Sequence, residues 1–162
     1  MNFIIRVAEE RDMSQVLQRI QDLAVYEKEP DAVKIDERTL KQYGTGENPL
    51  FTCFVAEDDG DILGIALVYF RFSTWVGKSL HLEDLIVAQE HRGRGVGQAL
   101  YNQVMRYGLE QNVSRVEWVV LDWNTDAIKF YQRNGATILT DWHLAQINEA
   151  SLKEYVAQLD SN

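Results

Sequence analysis

The feature that most constrains the fold is a glycine-rich turn between a strand pattern and a helix pattern. Residues 79–87 have the alternating, apolar character of a strand, and residues 96–110 place apolar side chains at helical spacing. They are joined by the turn Arg92-Gly93-Arg94-Gly95-Val96-Gly97. Glycines let a backbone approach a ligand closely, and free amides at a helix start bind phosphate. The arginines favour an anionic ligand, and a flexible connection without a ligand is the alternative.

Two common nucleotide-binding motifs do not fit this turn. The dinucleotide fingerprint G-x-G-x-x-G needs a third glycine where Gln98 stands, and no acidic residue follows at the usual distance in a second strand. The G-K-[ST] sequence of a phosphate-binding loop is also absent. A phosphate-bearing ligand held here therefore belongs to another binding class.

The periodicity of the whole chain predicts a mixed α/β sheet with helices packed on it. Asp12 and Gln15 have capping-box spacing at the first helix, and Gly135 closes a later one. Strands are predicted over residues 3–7, 51–57, 62–70, 79–87 and 113–121, with one or two more over 136–147. Helices are predicted from Asp12 to Tyr26 or Glu27, from Asp36 through Tyr43, over 96–110 and 125–133, and from Asn148 to Leu159. The order is β-α-α-β-β-β-α-β-α-β-α in a single domain, residues 1–162.

Composition excludes several classes of partner. The chain has 162 residues, of which 46% are hydrophobic, and its 25 acidic and 16 basic residues give a net charge of −9. Nucleic-acid binders normally carry the opposite sign, and no apolar run approaches the length of a membrane span. Cys53 is the only cysteine, which favours a reducing, cytoplasmic location. The three histidines lack metal-ligand spacing, so no metal is expected.

Further segments extend the glycine turn into a family pattern. The turn resembles the R/Q-x-x-G-x-G/A motif of the GNAT acetyltransferases. Matching segments, in the family's order and spacing, are Leu82-Glu83-Asp84-Leu85-Ile86-Val87, Asp122-Trp123-Asn124 and Phe130-Tyr131-Gln132-Arg133-Asn134-Gly135-Ala136. The diamine acetyltransferase branch, which includes spermidine/spermine and thialysine N-acetyltransferases, is indicated by Ala24-Val25-Tyr26-Glu27 and Ser73-Thr74-Trp75-Val76-Gly77-Lys78.

The resemblance implies a fold, a cosubstrate and an assembly. The fold is a mostly antiparallel central sheet of six or seven strands flanked by helices, and the cosubstrate is acetyl-CoA, used without a metal. A homodimer is implied, in which the last helix, around Leu152, Tyr155, Val156 and Leu159, packs against the second subunit. The residues implied to contact the cosubstrate are Leu85, Ile86, Val87, Arg92, Gly93, Arg94, Gly95, Val96, Gly97, Gln98, Asn124, Thr125, Asp126, Ala127 and Tyr131. Asn124 is also a good helix N-cap.

Acetyl transfer from a thioester to an amine poses two proton problems. A lysine-like ammonium has a pKa of about 10 and must lose a proton before it attacks, and the departing thiolate leaves more easily once protonated. The resemblance places Glu83 as base or water-holder and Tyr131 as general acid near the sulfur. From the residues alone, the alternatives remain that Glu83 is a solvated strand carboxylate and that Tyr131 is a core aromatic. Asp84 is expected on the other strand face, in a structural role.

The substrate side is implied by Tyr26, Glu27, Ser73, Trp75 and Glu83. Ser73 stands where polyamine enzymes carry an aspartate, and lost carboxylates weaken the case for long polyamines. A small lysine-like or thialysine-like amine is therefore expected, ahead of diamines and polyamines. Trp75 and Trp118 either line the amine site or pack in or at the rim of the hydrophobic core. The alternatives are a protein or peptide lysine acetyltransferase and a non-catalytic CoA-binding module, although the latter needs neither Glu83 nor Tyr131.

Overall fold

The computed structural model describes residues 3–160, which fall into two compact units divided between Val119 and Val120. The first unit contains the sheet and three helices, and the second contains two helices. The strands are β1 (Ile4–Val7), β2 (Thr52–Asp58), β3 (Asp61–Ser73), β4 (Gly77–Val87) and β5 (Arg115–Glu117). The helices are α1 (Met13–Tyr26), α2 (Glu37–Gly44), α3 (Val96–Glu110), α4 (Thr125–Arg133) and α5 (Glu149–Leu159).

The sheet is mixed and mostly antiparallel, as the sequence predicts. Strands β1 to β4 pair as antiparallel neighbours in chain order, and β5 adds to β4 in parallel. Each face of the sheet has its own core. Buried side chains on one face pack with Met13 and Val16 of α1, and we call this the α1 face. Those on the other pack with Leu100 and Val104 of α3, and we call this the α3 face.

An irregularity in the pairing of β3 with β4 decides which residues share a face. Leu67 pairs with Asp84 but Val68 pairs with Leu82, so Glu83 is the extra residue of a β-bulge. Leu82 before the bulge and Leu85 after it both pack on the α3 face. The two residues between them, Glu83 and Asp84, therefore both lie on the α1 face. The expectation that Asp84 alternates to the other face is wrong, because strict alternation holds only in an unbulged strand.

The number of strands differs from the sequence prediction. The described residues form five strands, not six or seven. The strand predicted over residues 113–121 shortens to Arg115–Glu117, and residues 136–147 form no strand. A strand pattern becomes a strand only where a neighbour pairs with its backbone groups. Residues 136–147 have the apolar pattern without such a ladder. Leu139, Trp142, Leu144 and Ile147 are exposed, and Ile138 is half-buried.

Helix ends show which local signals determine structure. Asn148 caps α5 by accepting from the Ser151 amide at 2.9 Å, as predicted. Helix α4 ends in a left-handed Gly135 with φ +90°, and the amide of Ala136 donates to the carbonyl of Tyr131 at 3.0 Å. These contacts form a Schellman motif, which confirms the predicted stop at Gly135.

The predicted capping box at the start of α1 is wrong. Both oxygens of Asp12 accept from the Arg6 guanidinium, at 2.6 and 3.0 Å, and one also accepts from the Glu9 amide. The hydrogen bond from Arg6 lowers the pKa of Asp12. The Gln15 side chain instead bonds the backbone of the β2–β3 turn, where Ile62 N–H donates to its Oε1 at 2.9 Å. An ion pair with Arg6, six residues earlier in the chain, and a contact with the β2–β3 hairpin have replaced the expected cap.

Candidate functional site

The glycine-rich turn leaves open space beside two of its glycines. Strand β4 ends at Val87, a 3-10 helix covers Gln89–His91, and α3 begins at Val96. Gly93 and Gly95 have φ of +71° and +82°, a left-handed conformation that favours glycine. A Cβ added at either position would meet no atom within 4 Å among the described residues. Gly95 is the N-cap of α3 and has no side chain with which to cap the helix amides.

The two arginines of the turn differ in how they are held. Arg92 Nε donates to the carbonyl of Val87 at 3.0 Å, and its guanidinium lies 5.1 Å from the centre of the Tyr26 ring. Nη1 of Arg94 lies 3.4 Å from Nδ1 of His91. Arg92 thus connects the turn to the end of β4 and the last turn of α1. Two cations beside open glycines fit the phosphates of acetyl-CoA.

The strand that leads into the turn has an unpaired edge. Strand β5 pairs with β4 only at residues 79–81. From Leu82 to Val87, the edge of β4 that points away from β3 therefore has no strand partner within residues 3–160. An amide-bearing chain can pair with such an edge through backbone hydrogen bonds. This is where Leu85, Ile86 and Val87 were expected to run beside the pantetheine arm.

Glu83 lies between two side chains on the α1 face. Burial, and then the neighbouring Glu83 carboxylate, raises the pKa of Tyr69. Nε2 of the buried His81 lies 3.5 Å from Oε2 of Glu83. Tyr69 and His81 also face each other across β3 and β4, with ring centres 5.0 Å apart. The Glu83 side chain is 51% exposed to solvent, so a substrate can reach it.

Asp84 is the most perturbed carboxyl of this face. Burial raises the pKa of Asp84 to about 7, with further contributions from the charges of Glu83 and Glu27. Glu27 follows the last residue of α1 and is half-buried, and that burial raises its pKa as well. The structure therefore brings together Glu27, Glu83 and Asp84, with Tyr26 next to Glu27. This cluster is called the acidic face below.

Ser73 and Trp75 lie at the hairpin tip, well away from the acidic face along strand β4. At this tip of the β3–β4 hairpin, Ser73 Oγ accepts from the amides of Trp75 and Val76 at 3.2 and 3.4 Å. Ser73 pairs with Gly77, and Glu83 lies six positions after Gly77 on β4, a span of roughly 20 Å. Ser73 thus shapes the hairpin tip, and within this chain neither residue joins the acidic face.

Trp118 has a core position in the first unit. Its ring lies 5.9 Å from that of Tyr101, edge to face, and it packs at the border of the α3-face core. Of the two roles that the sequence left open for Trp118, the structure supports the core. Cys53 is also buried, and burial raises the pKa of its thiol, as expected of an inert apolar cysteine.

The remaining predicted residues belong to the second unit. Asn124 caps α4, and its Oδ1 accepts from the Ala127 amide at 3.3 Å. This confirms the capping role and leaves a cosubstrate role compatible with it, since a cap uses the oxygen and a donor uses the amide nitrogen. Thr125 and Asp126 are exposed in the first turn of α4. Tyr131 is buried in the last turn, with its ring centre 5.4 Å from that of Phe130.

Sequence reasoning missed four residues around Glu83. Asp84 was assigned to the wrong face because a bulge has no signature in one sequence. Tyr69 and Arg71 lie on the neighbouring strand, whose register a single sequence does not give. His81 could have been found, since residues two apart on a strand share a face. Among residues 3–160 there is no group of three His, Cys, Asp or Glu side chains suited to a metal ion.

Comparison with known proteins identifies the family. The acetyltransferase (GNAT) family model matches residues 8–136. A thialysine N-epsilon-acetyltransferase of Sus scrofa is 38% identical over 162 residues, covering 93% of this chain and 95% of that protein. The human spermidine/spermine N(1)-acetyltransferase-like protein 1 is 32% identical and covers 93% of this chain, which spans 23% of that protein.

A solved structure supports the same fold. An integron cassette protein from the mobile metagenome of V. cholerae superposes with a TM-score of 0.77 at 20% identity, covering 96% of this chain and 98% of that one. At this identity the likeness concerns the fold alone. None of the helices in the described part of the chain is long and apolar enough to cross a membrane. The chain belongs to the GNAT family of acetyltransferases and is an N-acetyltransferase.

Proposed function

We propose that the chain transfers the acetyl group of acetyl-CoA to a primary amine of a small cationic substrate, with a lysine-like or thialysine-like amine preferred. The observation that carries the substrate class is the acidic face. Glu27, Glu83 and Asp84 lie together on one side of the sheet, at the strand that leads into the glycine turn. Partly buried carboxylates of this kind attract and hold ammonium groups.

The turn and the edge of β4 supply the proposed cosubstrate site. When bound, acetyl-CoA supplies an activated acetyl group as a thioester. The backbone of Leu85, Ile86 and Val87 pairs with its amide-bearing arm, and residues 92–98 surround its pyrophosphate. Asn124, Thr125, Asp126 and Ala127 are proposed to contact it from the start of α4. Positive φ at Gly93 and Gly95, together with the exposed Arg94, supports this assignment.

Two side chains are proposed to move the protons. Glu83 accepts a proton from the substrate ammonium, directly or through a water, so that the amine can attack the thioester carbonyl. Glu83 passes that proton to solvent. As the carbon–sulfur bond breaks, the Tyr131 hydroxyl donates a proton to the sulfur, and the second proton that the nitrogen loses on becoming an amide returns through solvent to Tyr131. The exposed side of Glu83, with Tyr69 and His81 behind it, supports the first role.

The relative at 38% identity supports a small amine, and the one at 32% identity, whose name gives polyamines, matches less strongly. The former is named a thialysine N-epsilon-acetyltransferase, whose name gives a lysine analogue as substrate. The acidic face offers carboxyls for one distal ammonium in addition to the reacting one. Tyr26 and Glu27 are proposed to hold that distal group, with Asp84 adding charge once it ionises. Ser73 and Trp75, at the hairpin tip roughly 20 Å from Glu83 within one chain, are proposed to contact the substrate of a second copy of this chain.

Three wider properties remain proposals. A homodimer is supported by the apolar side chains of α5, since Leu152, Tyr155, Val156 and Leu159 are each 45–58% exposed. A cytoplasmic location is supported by the single cysteine. A single domain over residues 1–162 is supported by the family match, which runs from residue 8 to residue 136 and so crosses the division at Val119.

The substrate class is tested by following thiol release from acetyl-CoA with a panel of amines. We expect kcat/KM for lysine and thialysine to exceed that for a neutral-tailed amine of equal length by at least about tenfold, because the acidic face selects a second charge. Diamines, polyamines and basic peptides complete the panel. Preference for a basic peptide would favour the protein acetyltransferase, and no thiol release with any amine would contradict the enzymatic proposal.

Substitution of Gly95 by valine tests the cosubstrate site. We expect Gly95→Val to weaken acetyl-CoA binding at least about tenfold by calorimetry, because a side chain would fill the space left for phosphate. Gly60→Val is the matched control. Gly60 has a φ of +89° and equally open surroundings, but it lies in the β2–β3 turn. Equal affinity in the two variants would show that the turn does not hold the pyrophosphate.

Removal of the Tyr131 hydroxyl tests the proposed general acid. Tyr131→Phe should lower kcat by roughly 10²-fold with little change in acetyl-CoA affinity, because only the proton donor is lost. Tyr155→Phe, on the exposed face of α5, controls for loss of a tyrosine hydroxyl from a helix of the same unit. A kcat equal to that of the unmodified protein would remove Tyr131 from the chemistry.

A further inference from the structure

A row of side chains connects Glu83 to the far edge of the sheet. Nε2 of His81 lies 3.5 Å from Glu83 Oε2, and its Nδ1 lies 3.3 Å from Nη1 of Arg71. The same Nη1 lies 2.8 Å from Oε1 of Glu117, whose Oε2 lies 2.7 Å from Nε of Arg115. The row crosses β4, β3 and β5, all within the first unit. None of its members except Glu83 has a role in the reaction described above.

The contact with Arg71 determines where the imidazole carries its proton. A guanidinium can only donate hydrogen bonds, so Nδ1 of His81 must accept. In the neutral ring the hydrogen is then on Nε2, which faces the Glu83 carboxylate. A small rotation of the half-exposed glutamate closes the 3.5 Å separation to a hydrogen bond. The buried ring of His81 is fixed, so Glu83 is the side chain that adjusts.

The surroundings keep this ring neutral at neutral pH. Burial lowers the pKa of His81 below its ordinary value, and the charge of Arg71 lowers it further, whereas Glu83 and Glu117 raise it. Tyr69 faces the same ring from β3. A protonated ring would place an N–H against the Arg71 guanidinium and lose that contact. The neutral form is therefore the one that the network of side chains accommodates.

We propose that His81 is a positioning residue that orients the Glu83 carboxylate through Nε2–H, with Arg71 fixing its tautomer and Glu117 holding Arg71. This inference rests on the proposed function, since Glu83 is the proposed base. A base held in one orientation accepts the ammonium proton without first reorienting, which favours turnover over binding. The substitutions that test it are designed to separate this role from packing.

Turnover is the first test. His81→Phe keeps the ring packing on Tyr69 but removes both nitrogens, and we expect kcat to fall about tenfold with the KM for acetyl-CoA unchanged. His81→Gln places an amide donor near the position of Nε2 and should recover kcat to within about threefold of the unmodified protein. The control is Ser79→Ala, two residues away on β4, whose hydroxyl bonds only the Gly77 carbonyl at 3.4 Å. It should lower thermal stability without lowering kcat.

Nitrogen chemical shifts of the imidazole provide a test that needs no activity. We expect the Nε2–H tautomer at neutral pH and a pKa for His81 that falls in Glu83→Gln and rises in Arg71→Gln, since one substitution removes a negative charge and the other a positive one. An Nδ1–H tautomer, or a titration insensitive to both variants, would overturn the proposal. So would an unchanged kcat in folded His81→Phe. A protein that shows the tautomer and both pKa shifts but acetylates no amine would refute the proposed function and leave the His81 geometry established.

Discussion

The bulge in β4 is the constraint on which the acidic face depends. Opposite Leu67 and Val68, the strand contains one residue more than its partner, and that residue is Glu83. Without the bulge, Glu83 and Asp84 would point to opposite faces, one into each core. With it, two adjacent carboxyls share the α1 face, and the strand continues into the glycine turn with Leu85 and Val87 packed against α3. One extra residue therefore connects the core, the proposed base and the turn that is proposed to hold the cosubstrate.

The arrangement has an electrostatic cost, which a cationic ligand would offset. Burial and two neighbouring carboxylates raise the pKa of Asp84 to about 7. Because its folded pKa is above the unfolded value, the protein loses stability as the pH rises from about 4 through 7 and Asp84 ionises. Arg71 is the cation on this face of β3, and it already lies between His81 and Glu117. An ammonium at Asp84 offsets this cost, which connects the destabilisation to the proposed substrate.

The sequence predicted those parts of the fold whose cause is local. The limits of α3 and α4, the cap at Asn124 and the stop at Gly135 follow from propensity, capping chemistry and a left-handed glycine, all of which act within a few residues. The failure at Asp12 has a nearby cause: its carboxylate binds Arg6, six residues earlier, and the Glu9 amide, and so does not cap α1.

Strand pairing and register account for the remaining failures. Residues 136–147 have the strand pattern but pair with no neighbouring strand. The face on which Asp84 lies depends on a bulge, and the register with β3 sets the position of that bulge. For the candidate site, family resemblance supplied Glu83, Tyr131 and the turn. Tyr69 and Arg71 needed the structure, because they belong to the neighbouring strand β3, whereas His81 lies two residues before Glu83 on the same strand and could have been found.

The central claim is that Glu83 and Asp84 share one face and feel each other's charge. Carbon-detected NMR titration of the Asp84 carboxyl tests it most directly, in the unmodified protein and in Glu83→Gln. The account predicts a pKa of about 7 for Asp84 in the unmodified protein and a lower pKa in Glu83→Gln, because a neighbouring negative charge has been removed. Glu90→Gln, which removes an equal charge from the exposed 3-10 helix after β4, should leave that pKa unchanged. An ordinary aspartate pKa, or one indifferent to Glu83→Gln, would place the two carboxyls on opposite faces and contradict the account.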